Sequence, residues 1–348
     1  CTLVGVACGS SFTTVSTMGI AFIGIGATLK INPGLTAGVI VSGAFCGSNI
    51  SPLSGTTNLA ASVGEISIYK HIKSLLTTDI PAWAICLILY TFLGLNSKNV
   101  SLGAVHQMMA GLQNGFWISG WALLPVLLLI VLAIFQVPAI PSLGLGSLFA
   151  VVLGWIHAPK TSLTTITNTI MTGYVSHTGD KTIDTLLSKG GISSMLTSLA
   201  LIIFALALGG LLIKFNIISA IINHLTGIVK TPGRLAFSTA LTCIGVNLLV
   251  GEHYLAIILP GQSFLPSFDK LGLKRVDLTR ILNDAGAAVN AIVPWSVSGV
   301  FIASTLQINP LNFIPWAFFP FFVTILTIIA GMLVKVPIKS PAANLATE

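Results

Sequence analysis

Two carboxylates stand inside apolar stretches of the chain: Glu252 in Asn247-Leu248-Leu249-Val250-Gly251-Glu252-His253, and Asp284 in the run from Asn283 to Val293-Pro294-Trp295-Ser296. An ionised carboxylate at mid-bilayer costs at least roughly 2.5 to 3.5 kcal/mol, so an acid kept there points to movement of a proton or cation. Burial favours the protonated form and a bound cation favours the ionised one. One carboxylate then holds a proton or a sodium ion but not both, and alternating access to it amounts to antiport. Other chemistry fits less well. The six histidines never fall at HxxxH or HExxH spacing, and the five cysteines (Cys1, Cys8, Cys46, Cys86, Cys243) include no CxxC pair, so no transition-metal site and no disulfide framework is expected. An intramembrane serine protease would need a nucleophile beside a histidine. Ser296-Val297-Ser298-Gly299 with His253 is the nearest approach, and it lacks the preceding glycine. An aspartyl version would need two intramembrane aspartates, where Asp284 alone qualifies on this reading. The chain reads as a transporter rather than an enzyme, with Na+ and H+ as transported ions and no cofactor.

The elements that must hold these acids are membrane helices. Of 348 residues, 54% are apolar and 7% are charged, against about 25% charged in soluble domains. So little charge cannot cover a soluble surface, and the missing polar surface must face lipid. Ten-residue alternating strands are absent, which excludes an outer-membrane barrel. The net charge of +7 is scattered singly, so nucleic acid is not an expected partner. The fold class is an all-α polytopic membrane protein, with small ions or small organic anions and the lipid bilayer as partners. At about twenty apolar residues per crossing, about nine spans are expected: 3–29, 35–62, 80–95, 117–137, 138–157, 192–213, 234–260, 283–306 and 311–336. If they alternate, one face holds eleven Lys and Arg against five on the other, which sets the C-terminal tail in the cytoplasm. Glu65, Asp79, Asp269 and Asp277 then fall in solvated connections, as does an extramembrane arm at 158–191, and 217–229 reads as an interfacial helix. The start at Cys1, already in an apolar stretch, suggests a fragment lacking earlier spans.

Four spans carry polar or Gly/Pro interruptions, at 9–19, 47–58, 247–253 and 283–296. Unpaired backbone groups in hydrocarbon cost several kcal/mol each, so such breaks survive only where protein or water satisfies them. They form two pairs. Each pair is a Gly-interrupted span followed by a Pro-interrupted one, then a span opening Ile80-Pro81-Ala82-Trp83 or Ile314-Pro315-Trp316-Ala317. This internal repeat divides the chain into a first repeat at 1–95, connecting spans and arm at 96–191, a second repeat at 192–336 and a tail at 337–348. Paired discontinuous helices point to a secondary-transporter site near the midplane. Its expected ligands are Glu252 and Asp284, with neutral oxygens from Ser51, Ser54, Thr56, Thr57, Asn58, Asn247 and Asn290, which suit Na+ as a hard cation. Strict alternation makes the two repeats parallel, whereas inverted repeats are the commoner arrangement. Glycines four apart (Gly5 and Gly9, Gly34 and Gly38, Gly43 and Gly47) permit close helix contacts inside one chain or in a homo-oligomer.

Gly47-Ser48-Asn49-Ile50-Ser51-Pro52-Leu53-Ser54-Gly55-Thr56-Thr57-Asn58-Leu59-Ala60 resembles the Gly-Asp-Lys-x-Ser-Pro-Leu-Ser-Asp-Thr-Thr-Asn-Leu-Ala signature of the NhaC family of Na+/H+ antiporters. Gly9-Ser10-Ser11-Phe12-Thr13-Thr14 is similar to that family's Gly-Ser-Ser-Trp-Thr-Thr segment. Further likeness lies in Thr172–Ser176, Lys189–Ile192, Tyr254–Gly261, Asp284-Ala285-Gly286 and Val293-Pro294-Trp295. The resemblance implies Na+/H+ exchange in the cytoplasmic membrane. The family also includes malate/lactate exchangers, so an organic-anion or amino-acid exchanger coupled to H+ or Na+ is the alternative. The chain departs from the pattern: Ser48 and Gly55 replace the signature aspartates, Asn49 replaces the lysine and Asn283 replaces a further acid, which leaves Glu252 and Asp284.

Overall fold

A computed structural model describes residues 1–95 apart from Lys30, and 119–333 apart from 135, 136, 138, 160, most of 178–190 and most of 218–230. The interfacial segment expected at 217–229, the connection 96–116 and the tail lie wholly or mostly outside the described residues. Among the described residues every regular element is helical. Helix α1 (Thr2–Cys8) stops at Gly9, and α2 (Ser11–Thr14) runs through a π turn (Val15–Gly19) into α3 (Ile20–Thr28). Then come α4 (Pro33–Asn49), α5 (Gly55–Val63) and α6 (Ile68–Leu95). A middle group holds α7 (Leu124–Ile134), α8 (Ala139–His157), α9 (Leu163–Thr172) and α10 (Ile192–Lys214). The last part has α11 (Pro232–Val250), α12 (His253–Lys270) and α13 (Arg275–Ile281), continued by a π turn (Leu282–Ala287) and a 3-10 turn (Ala288–Ile292). It closes with α14 (Val297–Leu306), α15 (Pro310–Phe313) and α16 (Phe318–Met332).

Local chemistry explains the starts and stops. Ile31-Asn32-Pro33 and Ile308-Asn309-Pro310 open α4 and α15 in the same way: proline takes the first helical position, where no N–H is needed, and the asparagine oxygen caps a free N–H. The Asn32 oxygen accepts from Gly34 N at 2.8 Å and the Asn309 oxygen from Leu311 N at 2.9 Å. Two apolar cores hold the elements together. One joins α5, α11, α12 and α13 around Leu235, Phe264, Phe268 and Leu278, and the other joins α4, α6, α14 and α16 around Ile40, Val41, Phe313 and Phe319. Large apolar side chains such as Leu87, Ile88 and Phe92 point outward from α6. That is the pattern of a helix whose solvent is lipid.

Several expectations change. Two helices, Ile68–Leu95 and Pro232–Val250, are long and apolar enough to cross a membrane, and two bent pairs raise the number to four among the described residues. The bends are 43° between Arg275–Ile292 and Val297–Leu306, and 51° between Pro310–Trp316 and Phe318–Met332. The span expected at 80–95 begins instead at Ile68, with Pro81 inside the helix. Asp79 is therefore not a solvated connection residue: it sits mid-helix and is 1% exposed. Asp277 is likewise drawn inward, to an ion pair with Arg280. The span expected at 234–260 is two helices, α11 and α12, that pack extensively on each other across the break at Gly251 and Glu252, so the chain doubles back there.

Alternation also fails on a direct contact. It set connections 63–79 and 261–282 on opposite faces, yet Arg275 forms an ion pair with Glu65 and a second with Asp269 at 2.9 Å. Nearby, an added Cβ at Gly261 would lie 2.3 Å from the Val63 side chain. The two connections therefore share one side of the molecule. The 30–34 connection meets the start of α15, where Gly34 packs on the Asn312 carbonyl.

The spaced glycines serve contacts within the chain. Gly47 packs on Thr2 and Gly5, Gly43 on Cys1, and Gly38 on Trp316. At Gly47 a Cβ would sit 2.2 Å from the Thr2 carbonyl oxygen and 2.9 Å from the Gly5 Cα. Overpacking of this kind costs about 1 to 3 kcal/mol. Gly47→Val is thus expected to lower the melting temperature of the detergent-purified protein, whereas Gly94→Val, where a Cβ meets nothing within 4 Å, should leave it unchanged. Equal melting of the two variants would show that α1 does not pack on α4 as described.

Candidate functional site

All four interruptions meet. Gly9 and Gly251 each end a helix in the left-handed region, at φ of 65° and 72°, where glycine carries no Cβ penalty. The next residue turns extended and caps the following helix with its side chain: Ser10 Oγ accepts from Thr13 N at 3.1 Å, and Glu252 Oε2 from Leu255 N at 2.9 Å. Of the proline breaks, the second caps its helix in the same way, while Ser54 before α5 makes no side-chain cap. Ser296 Oγ accepts from Gly299 N at 2.9 Å, and the turn from Ile50 to Ser54 leads into α5. Each glycine tip is also bound to the adjoining proline break. Ser51 Oγ donates to Val6 O at 2.7 Å beside the first tip, and Val297 N donates to Gly251 O at 2.8 Å at the second.

Between the breaks lies a cavity of about 210 Å³. Its wall takes Ser10 and Ser11 from the first break, Ser48, Asn49, Ser54 and Thr56 from the second, Glu252 and His253 from the third, and Ala287 from the fourth, with Val297 and Ser298 just after it. Helices α5, α12 and α14 begin at this wall; the first-turn N–H groups of α14 are taken by Gly251 O, Asn290 Oδ1 and Ser296 Oγ, and Leu255 N of α12 by Glu252. Glu252 Oε1 stands 3.6 Å from His253 Nδ1.

Asn49, the last residue of α4, forms part of that wall and also touches a deeper cluster. Its Nδ2 donates to Asp79 Oδ2 at 3.0 Å, to Asp79 Oδ1 at 3.3 Å and to Asp284 Oδ1 at 3.0 Å. Thr78 Oγ1 donates to Asp284 Oδ2 at 2.8 Å. Asn283 Nδ2 donates to Asn49 Oδ1 at 2.7 Å, while Asn283 Oδ1 is buried without a partner. Asp284 is fully buried, and it rides on the π turn, a helix form that recurs at functional sites. Two carboxylates on one amide nitrogen, out of water, need a shared proton or a cation between them. With Asn283 Oδ1 the cluster offers five oxygens of the kind a hard cation takes.

The expected site residues divide accordingly. Glu252, Ser54 and Thr56 line the cavity, and Asp284 belongs to the deeper cluster. Thr57 Oγ1 donates to Asn49 O at 2.9 Å and anchors the end of α4. Asn247 and Asn290 serve the backbone. Asn247 Nδ2 donates to Gly286 O at 2.7 Å, Asn290 Nδ2 to Asn247 Oδ1 at 2.8 Å and to Gly251 O at 3.2 Å, and Asn290 Oδ1 accepts from Ser298 N at 3.0 Å. Asn58 is exposed and donates to Pro52 O and Ser54 O, both at 2.8 Å, so it holds the turn rather than facing the cavity. Ser51 is spent on Val6. Sequence reasoning missed Asp79, Thr78, Asn49 and Asn283. A signal for Asp79 exists: Leu75, Thr78, Asp79, Ala82 and Cys86 recur at helical spacing and form the buried stripe of α6.

The profile of the Na+/H+ antiporter family matches residues 49–334. The chain is 38% identical over 337 residues to the Na+/H+ antiporter NhaC of Bacillus subtilis strain 168, covering 96% of this chain and 74% of that one. It is 35% identical over 336 residues to the malate-2H+/Na+-lactate antiporter of the same organism, covering 95% and 71%. It is 33% identical over 354 residues to the arginine/ornithine antiporter ArcD of Halobacterium salinarum, covering 99% and 73%. No solved structure matches the chain.

Removing the Asn49 amide strips both acids of a donor and leaves Asn283 Nδ2 only the longer bond to Asn49 O, at 3.5 Å. Each buried polar group left unpaired costs about 1 to 3 kcal/mol. Asn49→Ala is expected to melt well below the parent protein, and Asn58→Ala, at an exposed turn, close to it. If Asn49→Ala melted like the parent, the amide would not be holding the acid pair together.

Proposed function

The chain belongs to the Na+/H+ antiporter family, and from that premise we propose that it is a secondary transporter exchanging protons for Na+ by alternating access. Proton and Na+ compete for the Asp79–Asp284 pair. Glu252 acts as an outer carboxylate in the cavity, and Asn49 forms the partition between the two. The observation that carries this reading is the pair itself, two buried carboxylates on one amide at the junction of four broken helices. Loss of signature acids at Ser48, Gly55 and Asn283 leaves Asp79 and Asp284 as the deep titrating groups, with neutral oxygens completing a Na+ shell. Movement of one net charge through 100 mV is worth roughly 2.3 kcal/mol, so the coupling ratio decides whether voltage drives the cycle.

Two repeats, at 1–95 and 192–336, organise this machinery within about nine crossings of the cytoplasmic membrane. They lie inverted: the connection after the proline break of the first repeat pairs with the connection before the proline break of the second, through Glu65 and Arg275. The shared face carries Lys70, Lys73, Lys270, Lys274 and Arg275, so the positive-inside bias sets it in the cytoplasm. Helix α16 ends on the same side, beside Gly233 at the start of α11, which keeps the C-terminus cytoplasmic.

A second reading has its own support. Helix starts and neutral hydroxyls at the cavity wall suit a carboxylate ligand, and relatives are named for malate, lactate, arginine and ornithine. Everted vesicles with a pH-sensitive dye decide between the readings. Added NaCl should release protons in the parent protein, Asp79→Asn and Asp284→Asn should abolish the signal, and Glu65→Gln at the surface should leave it intact. Glu252→Gln is expected to raise the Na+ concentration needed for half-maximal exchange. Uptake of labelled malate, lactate or arginine without NaCl-driven proton movement would favour the organic exchanger instead.

A further inference from the structure

Arg280 is, among the described residues, the Lys or Arg whose side chain is buried, at 6% exposed. Its Nη2 lies 3.2 Å from Asp277 Oδ1, its Nη1 donates to Ser74 Oγ at 3.2 Å, and its Nε is buried with no partner. A guanidinium has five donors in a fixed fork, and leaving one unmatched out of water is costly. The acid pair is close at hand. Arg280 precedes Asp284 by four residues along one helical path, and Ser74 precedes Thr78 by four on α6, so both helices carry the same spacing to the pair. A helical side chain leans toward the N-terminus. That lean seats Arg280 on Asp277, three residues back, with its charge still acting on Asp79 and Asp284.

We propose that Arg280 is a tethered counter-cation of the Asp79–Asp284 pair, moving between Asp277 and the pair as the pair empties and fills. The inference rests on the pair being the ion site. When neither proton nor Na+ is bound, the guanidinium leans onto the carboxylates. When an ion binds, Arg280 returns to Asp277. The signature lysine position is filled by Asn49, which keeps a donor between the acids but supplies no charge, so Arg280 is the fixed positive charge in this surround. Another titratable group near the pair is the Cys46 thiol on α4, which acts on Asp79, and further buried ones are His71 and Cys86 on α6 and Cys243 on α11. From α16 come the hydroxyls of Thr324 and Thr327. Arg280 is thus a positioning residue, acting through the carboxylates rather than on the ion.

The test reads protonation without relying on transport. Infrared difference spectra of the purified full-length protein follow the protonated-carboxyl band as pH changes, and proteoliposomes give the pH profile and the KM for Na+. Arg280→Gln should move the carboxyl midpoint and the exchange profile to higher pH, by roughly one to three units for a close opposite charge removed. Asp277→Asn frees Arg280 for the pair and should move both to lower pH while raising the KM for Na+. Arg280→Lys should stay near the parent. Opposite shifts follow where both charges act on the carboxyl pair, whereas an ion pair out of its reach would move neither midpoint. If Arg280→Gln fails to fold, Asp277→Asn carries the test alone. Unmoved midpoints in the variants, or shifts of one sign, overturn the proposal. Loss of all NaCl-driven proton movement in the parent overturns the Na+/H+ reading instead, and the infrared midpoints still judge Arg280.

Discussion

An interrupted helix inside a bilayer leaves backbone N–H and C=O groups that lipid cannot satisfy, and the rest of this molecule is arranged around that demand. The interruptions supply one another. Gly251 O accepts from Val297 N and Asn290 Nδ2, Gly286 O accepts from Asn247 Nδ2, and Val6 O accepts from Ser51 Oγ. Even the bend at Ala317 follows the rule: Tyr90 Oη donates to Trp316 O at 2.6 Å, and Ser42 Oγ accepts from Phe319 N at 3.2 Å. Breaks that satisfy each other must lie together. Their gathering produces a polar cavity in the midst of apolar helices, so the requirement that permits the breaks also builds the site.

Charge follows the same economy. Nine acids serve the whole chain. Glu65 and Asp269 are held at the surface by Arg275, and Asp277 is held inside by Arg280. Asp79 and Asp284 share the Asn49 amide in full burial, and Glu252 stands apart in the cavity wall, capping α12. Asn49 links the two levels, since it forms part of the cavity and donates to both buried acids. Glu252 and Asp284 have similar sequence surroundings, but one caps a helix start at a cavity and the other rides a π turn against a second acid. Their chemical settings therefore differ.

Much of the site was legible in residue types. Polar and Gly/Pro interruptions marked all four breaks where glycine or proline came together with Ser, Thr or Asn, whereas proline alone, at Pro81, Pro260 and Pro266, lies inside a continuous helix. Glu252, Ser54 and Thr56 were found by that route. Asp79 was not, because the Ile80-Pro81 dipeptide reads as a helix start although the helix runs through it from Ile68. Asn247 and Asn290 were expected as ion ligands since an asparagine beside a break offers an oxygen, but their amides are used to satisfy the freed backbone.

The sequence by itself determined the solvent, the helical class, the positions of the breaks and the family, because apolar content, glycine, proline and signature residues are local properties. Tertiary structure decided which acids meet on one amide, which connections face the same side and which glycines touch. Asn49 lies 30 residues from Asp79 and 235 from Asp284 along the chain. No local pattern encodes such a meeting; it follows from the packing of α4, α6 and the π turn after α13.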